Sequence, residues 1–341
     1  MDVDLAGERS RAVLDELSNV VVIDDDILRM ILTGAISRGH VLLEDVPGTG
    51  KTLTARSFAT ALGLSFNRIQ FTPDLLPSDV TGTNVFNEKT REFEFSKGPV
   101  FANVILADEI NRASPKTQAA LLEAMGEGQV TVDGVTHPLP DPFFVIATQN
   151  PVEQGNGTFP LPEAQKDRFL VKTSLGYPDE AGERELIDRR ADRDTPTPSA
   201  SQVLTTGDVQ ALQGMPEEIT VHADIRDYIV AVVRATRADQ RVTVGVSPRG
   251  TQRLFEVVRT HAMLSGRSYV VPDDLKAVAD SVLAHRLVLT ADATVDEIDQ
   301  RDVIADVLDT VPVPSVDDAG PTIGQSAGAH SASAAKGAKQ E

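Results

Sequence analysis

The run Val41-Leu42-Leu43-Glu44-Asp45-Val46-Pro47-Gly48-Thr49-Gly50-Lys51-Thr52 constrains this chain more than any other stretch. Its apolar start predicts a short buried strand, Pro47 to Gly50 a tight glycine-containing loop, and Lys51-Thr52 the opening of a helix. That helix is expected to reach Leu62, with Ala55, Phe58, Ala59 and Leu62 on its apolar face and Gly63 as its stop. Strand, glycine loop and helix N-terminus together make an anion site. The glycines let backbone wrap a phosphate, amide N–H groups point inward, and the helix dipole favours negative charge. A nucleotide would therefore lie along Asp45, Val46, Pro47, Gly48, Thr49, Gly50, Lys51 and Thr52, with Lys51 on the β/γ-phosphates and the Thr52 hydroxyl on Mg²⁺. The general phosphate-loop pattern has glycine where this chain has Asp45, so the match is incomplete at its first position. A plain turn with a surface lysine does not account for Gly-x-Gly-Lys-Thr directly after an apolar strand.

A second run, Val104-Ile105-Leu106-Ala107-Asp108-Glu109, predicts a central strand with two acids at its C-terminal end. Open α/β sheets bind ligands at those strand ends. Asp108 would hold Mg²⁺, directly or through water, and Glu109 would activate an attacking water. Phe143 to Thr148 predicts a further core strand ending at Gln149-Asn150-Pro151. Alone, Asn150 would read as a turn residue; beside the other two runs it is expected to reach the γ-phosphate or the water near Glu109.

The rest of the first half supports an α/β sheet. Residues 1–38 have helical spacing, with Asp24-Asp25-Asp26 as an acidic helix start before Ile27, Leu28, Ile31, Leu32 and Ala35. Phe66 to Phe71 predicts a strand, and 72–82, with two prolines, a loop. Residues 83–86 and 92–95 suggest two hairpin arms, as do 129–132 and 135–139 around Asp133-Gly134. Ser114-Pro115 opens a helix that stops near Gly126. A loop from Gly155 to Pro162 precedes a last short strand at Leu170–Thr173.

Composition shifts near Tyr177-Pro178, and from there periodicity is helical: 179–193, a Thr/Pro/Ser linker at 195–201, then 222–238, 248–264 and 272–288. No strand is expected in this half. His222, His261 and His285 are expected at helix surfaces or core edges, and no pair of histidines has metal-ligand spacing. Beyond Pro314 the Gly/Ala/Ser-rich sequence lacks periodicity and reads as a disordered tail. The expected divisions are a core at 1–177, a helical lid at 178–314 and a tail at 315–341.

Composition then narrows the function classes. No cysteine is present among 341 residues, so disulfides, thiolate metal sites and cysteine nucleophiles are out. No apolar run has the length of a membrane span, and the acidic Met1-Asp2-Val3-Asp4 start is unlike a signal peptide, so a cytoplasmic protein without membrane insertion is expected. Net charge is −19, with 9 lysines against 23 arginines, which discourages contact with nucleic acid or anionic lipid. Such an acidic, lysine-poor composition also fits a halophilic source.

Taken together, these runs resemble the MoxR family of AAA+ ATPases. The resemblance is carried by 43–52, by Arg68 through Asp79, by Gly98-Pro99-Val100-Phe101, by Ala107 through Arg112, by Ala147 through Pro151, and by Pro162-Glu163-Ala164-Gln165. They span roughly residues 20–310 in family order, and Asp45 is itself usual in that family. The resemblance implies a five-stranded parallel AAA+ sheet flanked by helices, a helical lid, ATP and Mg²⁺ as ligands, and assembly into a ring, usually hexameric. It implies that Asn150 is the sensor 1 residue, Arg249 a sensor 2 arginine from the lid, and Arg168 an arginine finger offered to the neighbouring subunit. The two hairpins would line the ring's pore, and the partner would be a protein, typically one with a von Willebrand A-type domain.

Two other functions compete with ATP-driven remodelling of protein partners. A nucleic-acid motor needs basic pore hairpins, whereas 83–95 has Lys89 and Arg91 against Glu88, Glu92 and Glu94, and 129–139 has no Lys or Arg. A nucleotide-switched assembly module needs no hydrolysis, and Glu109 and Arg168 argue against it.

Overall fold

The computed structural model describes residues 1–151, 157–192 and 198–314. The expected tail, part of the 155–162 loop and part of the 195–201 linker lie outside the described residues. Two helices open the chain, α1 (Val3–Val20) and α2 (Asp25–Ile36). Asp24 caps the second through its carboxylate on the Asp26 N–H, so the acidic triplet works as a helix start.

Five strands form one parallel sheet: β1 (Val41–Glu44), β2 (Phe66–Gln70), β5 (Val104–Asp108), β8 (Phe144–Gln149) and β9 (Val171–Thr173). Their spatial order is β2-β5-β8-β1-β9. Every residue of β5 and β8 is buried, as expected for strands covered on both faces. Alternate residues feed two cores. Leu43, Leu106 and Ile146 pack under α1, α2 and α3 (Lys51–Ala61), whereas Leu42, Ile105, Ala107 and Val145 meet Leu121, Leu122 and Met125 of α5 (Pro115–Glu127). The register Gln70↔Asp108 and Glu44↔Gln149 aligns the C-terminal strand ends along one edge of the sheet.

Between these strands lie a short helix, α4 (Pro77–Thr81), and two hairpins. Residues 72–82 were expected to be a loop throughout; Pro77 at the first helical position and Asp79 accepting from the Leu76 N–H instead nucleate one turn. Strands β3 (Gly82–Asn87) and β4 (Glu92–Lys97) form the first hairpin, β6 (Gln129–Val132) and β7 (Val135–Pro138) the second. Asp133 (φ 49°) and Gly134 (φ 80°) make the tight turn expected of that pair. The hairpins touch: His137 stacks on Phe95 with ring centroids 3.8 Å apart, and Asn84 donates to Asp133 at 2.7 Å. Helix α5 runs slightly past Gly126 and ends at Gly128, whose φ of 62° supplies the left-handed stop.

After α6 (Glu163–Lys166) and β9 the chain becomes helical: α7 (Glu180–Ala191), α8 (Thr206–Gly214), α9 (Ala223–Ala238), α10 (Pro248–Leu264), α11 (Pro272–Leu283), α12 (Ala291–Val295) and α13 (Gln300–Thr310). Their apolar faces, among them Ile225, Val232, Leu254, Val258, Leu275 and Val282, are continuous with the core beneath α1 and α2. Two expectations fail here. The helix begun at Pro272 stops at Leu283 and tightens into one 3₁₀ turn, Ala284–Arg286, rather than running to 288. The half expected to lack strands has a small antiparallel pair, β10 (Val242–Val244) and β11 (Val288–Leu289). Both strands are short runs rich in β-branched residues, below the length at which alternation shows in sequence.

Candidate nucleotide-binding site

The loop from Asp45 to Gly50 joins β1 to α3 as its sequence predicts. Gly48 (φ 92°) and Gly50 (φ 87°) both adopt left-handed backbone, which any other residue enters at a cost. A Cβ on either would meet no atom within 4 Å, so conformation, not crowding, requires glycine there. Gly50 caps α3, leaving the first-turn N–H groups of that helix directed at the cleft. The Lys51 ammonium lies over the loop, donating to the Val46 carbonyl at 2.6 Å and the Asp45 carbonyl at 3.2 Å. Burial pulls its pKa below the usual lysine value, while the nearby Asp45, Asp108 and Glu109 carboxylates oppose that shift.

Asp45 behaves differently from the rest of the loop. Its backbone borders the cleft, but its carboxylate accepts from the Leu175 N–H at 2.5 Å, the Ser174 hydroxyl at 3.0 Å and the Gly176 N–H at 3.2 Å. It therefore fastens the phosphate loop to the segment leaving β9. The general pattern's glycine could not make this tie.

Opposite the loop stand the two acids at the end of β5. Asp108 is buried, and its Oδ1 accepts from the Thr148 hydroxyl at 2.6 Å. Its Oδ2 accepts from Arg68 Nη2 at 2.6 Å and Nε at 3.1 Å. Thr148 Oγ1 also accepts from the Glu109 N–H at 2.9 Å, so one hydroxyl sets both acids. Glu109 has φ 57° and ψ 48°, a left-handed conformation unusual for a glutamate. Its Oε2 accepts from Gln70 Nε2 at 2.9 Å and lies 3.1 Å from Arg112 Nε. Asn150 is buried at the tip of β8 on the same cleft. Together with Pro47, Gly48, Lys51 and Thr52, these groups surround a cavity of about 390 Å³.

The two remaining arginines are not in this cleft. Arg168 follows α6 and donates to the Leu122 carbonyl at 2.8 Å, with its guanidinium against Gly126. Arg249 is exposed in the first turn of α10.

Residues 40–171 match the family described as ATPases associated with various cellular activities (AAA), and 234–307 match the AAA lid domain. The chain is 47% identical to the chaperone MoxR1 of Mycobacterium tuberculosis across 310 residues, covering 88% of this chain and 81% of that one. A protein MoxR from Methylorubrum extorquens is 32% identical over 88% of this chain and 93% of its own length. The chain belongs to the MoxR family of AAA+ ATPases. The crystal structure of a putative ATPase from Cytophaga hutchinsonii superposes with a TM-score of 0.84 at 40% identity, covering 91% of this chain and 96% of that one. The expected AAA+ fold, with its parallel sheet and helical lid region, is thus borne out.

For a MoxR-type site, the oxygen donors suit a divalent cation. The Thr52 hydroxyl and the Asp108 carboxylate are hard donors on one cleft, and no group of three or more His, Asp or Glu is gathered for a metal among the described residues. Mg²⁺ is characteristically bound through one or two protein oxygens together with substrate phosphates, so this sparse donor set fits. Sequence alone marks no role for Thr148, Arg68 or Gln70. Arg68 and Gln70 alternate on β2 with register positions beside Leu106 and Asp108, so the pairing of β2 with β5 was the signal that could have found them. Thr148 required knowing that β8 lies next to β5.

Proposed function

We propose that this chain is a Mg²⁺-dependent ATPase that works as a ring, usually hexameric in this family, and uses hydrolysis to remodel or mature protein partners. The observation that carries this reading is the convergence of Lys51, Asp108, Glu109 and Asn150 on one cleft at the strand ends. Loop N–H groups and Lys51 bind the β- and γ-phosphates of ATP. Thr52 and Asp108 would hold Mg²⁺, which would supply charge neutralisation at those phosphates. Glu109 takes a proton from water as its oxygen attacks the γ-phosphorus, and the bond to the β–γ bridging oxygen breaks, giving ADP and phosphate. Asn150 orients that water. Arg168 acts on the γ-phosphate of the next subunit; Arg249, expected to act in its own subunit, lies outside that subunit's cleft as well.

Placement of Arg168 away from its own cleft supports a role in trans. The hairpins support a protein client rather than nucleic acid: Phe93 is 72% exposed and pairs edge-on with Phe86, and across the two hairpins Glu88, Glu92, Glu94 and Asp133 stand against Lys89, Arg91 and Lys97. In this reading the hairpins line the pore, the partner carries a von Willebrand A-type domain, and the protein works in the cytoplasm. No helix among the described residues is long and apolar enough to cross a membrane. The functional divisions are the core at 1–177 and the lid at 178–314.

The test is ATP turnover per subunit against protein concentration, in Mg²⁺ and at high salt, for the wild type, Glu109→Gln and Arg168→Ala. Turnover that rises with concentration and is lost in both variants is expected. Turnover independent of concentration and retained in Arg168→Ala would overturn the ring reading. ATP binding without turnover, even with candidate partners added, would leave the switch module as the better account.

A further inference from the structure

Asp108, the acid expected to hold a divalent cation, already has a cation of this chain's own on it. Arg68 reaches from β2 and places Nη2 2.6 Å and Nε 3.1 Å from Asp108 Oδ2, so two donors of one guanidinium meet a single oxygen. Oδ1 is taken by the Thr148 hydroxyl, which also accepts from the Glu109 N–H. Oδ2 is therefore the oxygen through which Asp108 meets positive charge. Gln70, two residues further along the strand, steadies the arginine by accepting from Nη2 at 2.6 Å.

The place of this pair matters more than its strength. The Arg68 side chain is 46% exposed and lines the cleft with Lys51, Thr52 and Asp108. It stands on β2, the edge strand of the sheet, and so has room to swing. An ion pair with so exposed an arginine adds little to stability, and it opens without loosening the fold. A divalent ion at Oδ2, direct or through water, would stand beside the guanidinium. Like charges at that range repel, and beside a buried carboxylate water screens them poorly. Arginine does not lose its proton in proteins, so only movement of the side chain relieves the conflict.

We infer that Arg68 is a positioning residue that acts as the internal counter-ion of Asp108: it competes with Mg²⁺ for Oδ2 and leaves that oxygen when Mg²⁺ enters with nucleotide. This rests on the reading of the cleft as a Mg²⁺–ATP site. Metal alone has to displace a cation held by two bonds, whereas metal accompanied by ATP arrives with phosphate charge that offsets the crowding. Arg68 thus ties metal entry to nucleotide entry.

The test compares the Kd of a non-hydrolysable fluorescent ATP analogue in saturating Mg²⁺ and in EDTA, so turnover does not enter the readout. The ratio of the two is the gain in affinity that the metal supplies. In Arg68→Gln that gain should be about tenfold larger than in the wild type, within the usual range of coupling between two bound groups. Arg68→Lys, a point charge that cannot make the paired contact, should fall between them. It also carries the test should Arg68→Gln fold poorly. The enlargement should vanish when Arg68→Gln is made in an Asp108→Asn background, because the contested carboxylate is gone.

An unchanged gain in Arg68→Gln, or one that grows equally with Asp108→Asn present, would overturn the competition. Weaker binding of the analogue by Arg68→Gln in saturating Mg²⁺ would overturn it too, since Arg68 would then be a phosphate ligand. A wild type that binds the analogue without any response to Mg²⁺, or does not bind it, would bring down the Mg²⁺–ATP reading of the cleft and the inference with it.

Discussion

The nucleotide cleft and the buried seam that ties distant segments of the core to one another and to the lid are built by opposite means. In the cleft, backbone conformation does most of the work. Gly48 and Gly50 are left-handed, Glu109 is left-handed, and the helix start at Lys51 presents N–H groups with little packing around them. In the seam, side chains do it. Arg286, His285 and Asp45 are buried polar groups reaching across segments far apart in sequence, and each leaves backbone donors or acceptors stranded if removed. The cleft is thus open and tolerant of added atoms but exacting in conformation; the seam is closed and exacting in shape and charge.

This contrast predicts which variants separate catalysis from stability. The largest effect belongs to Glu109→Gln. The amide is isosteric and keeps an acceptor for Gln70, so urea unfolding should be near wild type. Turnover should fall about 10²–10⁴-fold, the usual share of a positioned base, while ATP binding persists. A stability loss comparable to that of a seam variant would erase the distinction drawn between the two regions.

Asp45→Ala should do the reverse. It lies in the phosphate loop by sequence yet belongs to the seam by contact. Removing its carboxylate leaves the Leu175 and Gly176 N–H groups and the Ser174 hydroxyl without that acceptor. The expected cost is about 3 kcal/mol in urea unfolding, the scale of losing charge-assisted bonds to buried donors. Asp45→Asn, which keeps one acceptor, should lose less. Were the principal damage instead a loss of ATP affinity with stability unchanged, Asp45 would be a nucleotide ligand and not a tie.

How far these regions were legible in sequence follows the same division. The runs 41–52, 104–109 and 143–150 could be placed as strand ends facing a phosphate loop because a few adjacent residues carry both conformation and chemistry. The order of the strands could not be read from composition or periodicity. With it went the alignment of Arg68 and Gln70 beside the acids and the double use of the Thr148 hydroxyl. The seam was nearly invisible. His285 was expected at a surface or core edge but is buried, because the helix carrying it stops at Leu283 and the following turn swings it against Phe169. Helical periodicity has no mark for that change of direction when apolar residues continue on both sides of it.

Acidification should attack the seam side first. His40 is buried just before β1; its Nδ1 accepts from the Val145 N–H at 3.1 Å, and its Nε2–H donates to the Met125 carbonyl at 3.0 Å. Burial is the main reason its pKa falls to about 4, with Arg253 adding to the shift and the Met125 bond opposing it. Burial likewise pulls His285 well below its usual value. Both rings stay neutral in the fold while their unfolded counterparts take protons below about 6.5. Their contribution is therefore complete above that pH and shrinks as pH falls toward the folded value. From His40 alone the loss is about 2 kcal/mol by pH 5. Urea midpoints between pH 7.5 and 5 should show that slope, and His40→Asn should flatten part of it.

A small effect on stability should come from Gly50→Ala, and it tests what the cleft's openness means. The left-handed backbone imposes about 1 kcal/mol of strain on alanine, partly offset because alanine also restricts the unfolded chain. No steric term is added, since its Cβ meets nothing within 4 Å. The contrast is Gly250 in the seam, where a Cβ must displace Val246 or Arg286. If Gly50→Ala loses ATP affinity out of proportion to that small change in unfolding free energy, the empty space beside the loop is reserved for phosphate, and the glycine serves ligand approach as well as backbone conformation. If affinity and stability fall together by the same small amount, the glycine is there for its backbone angle alone.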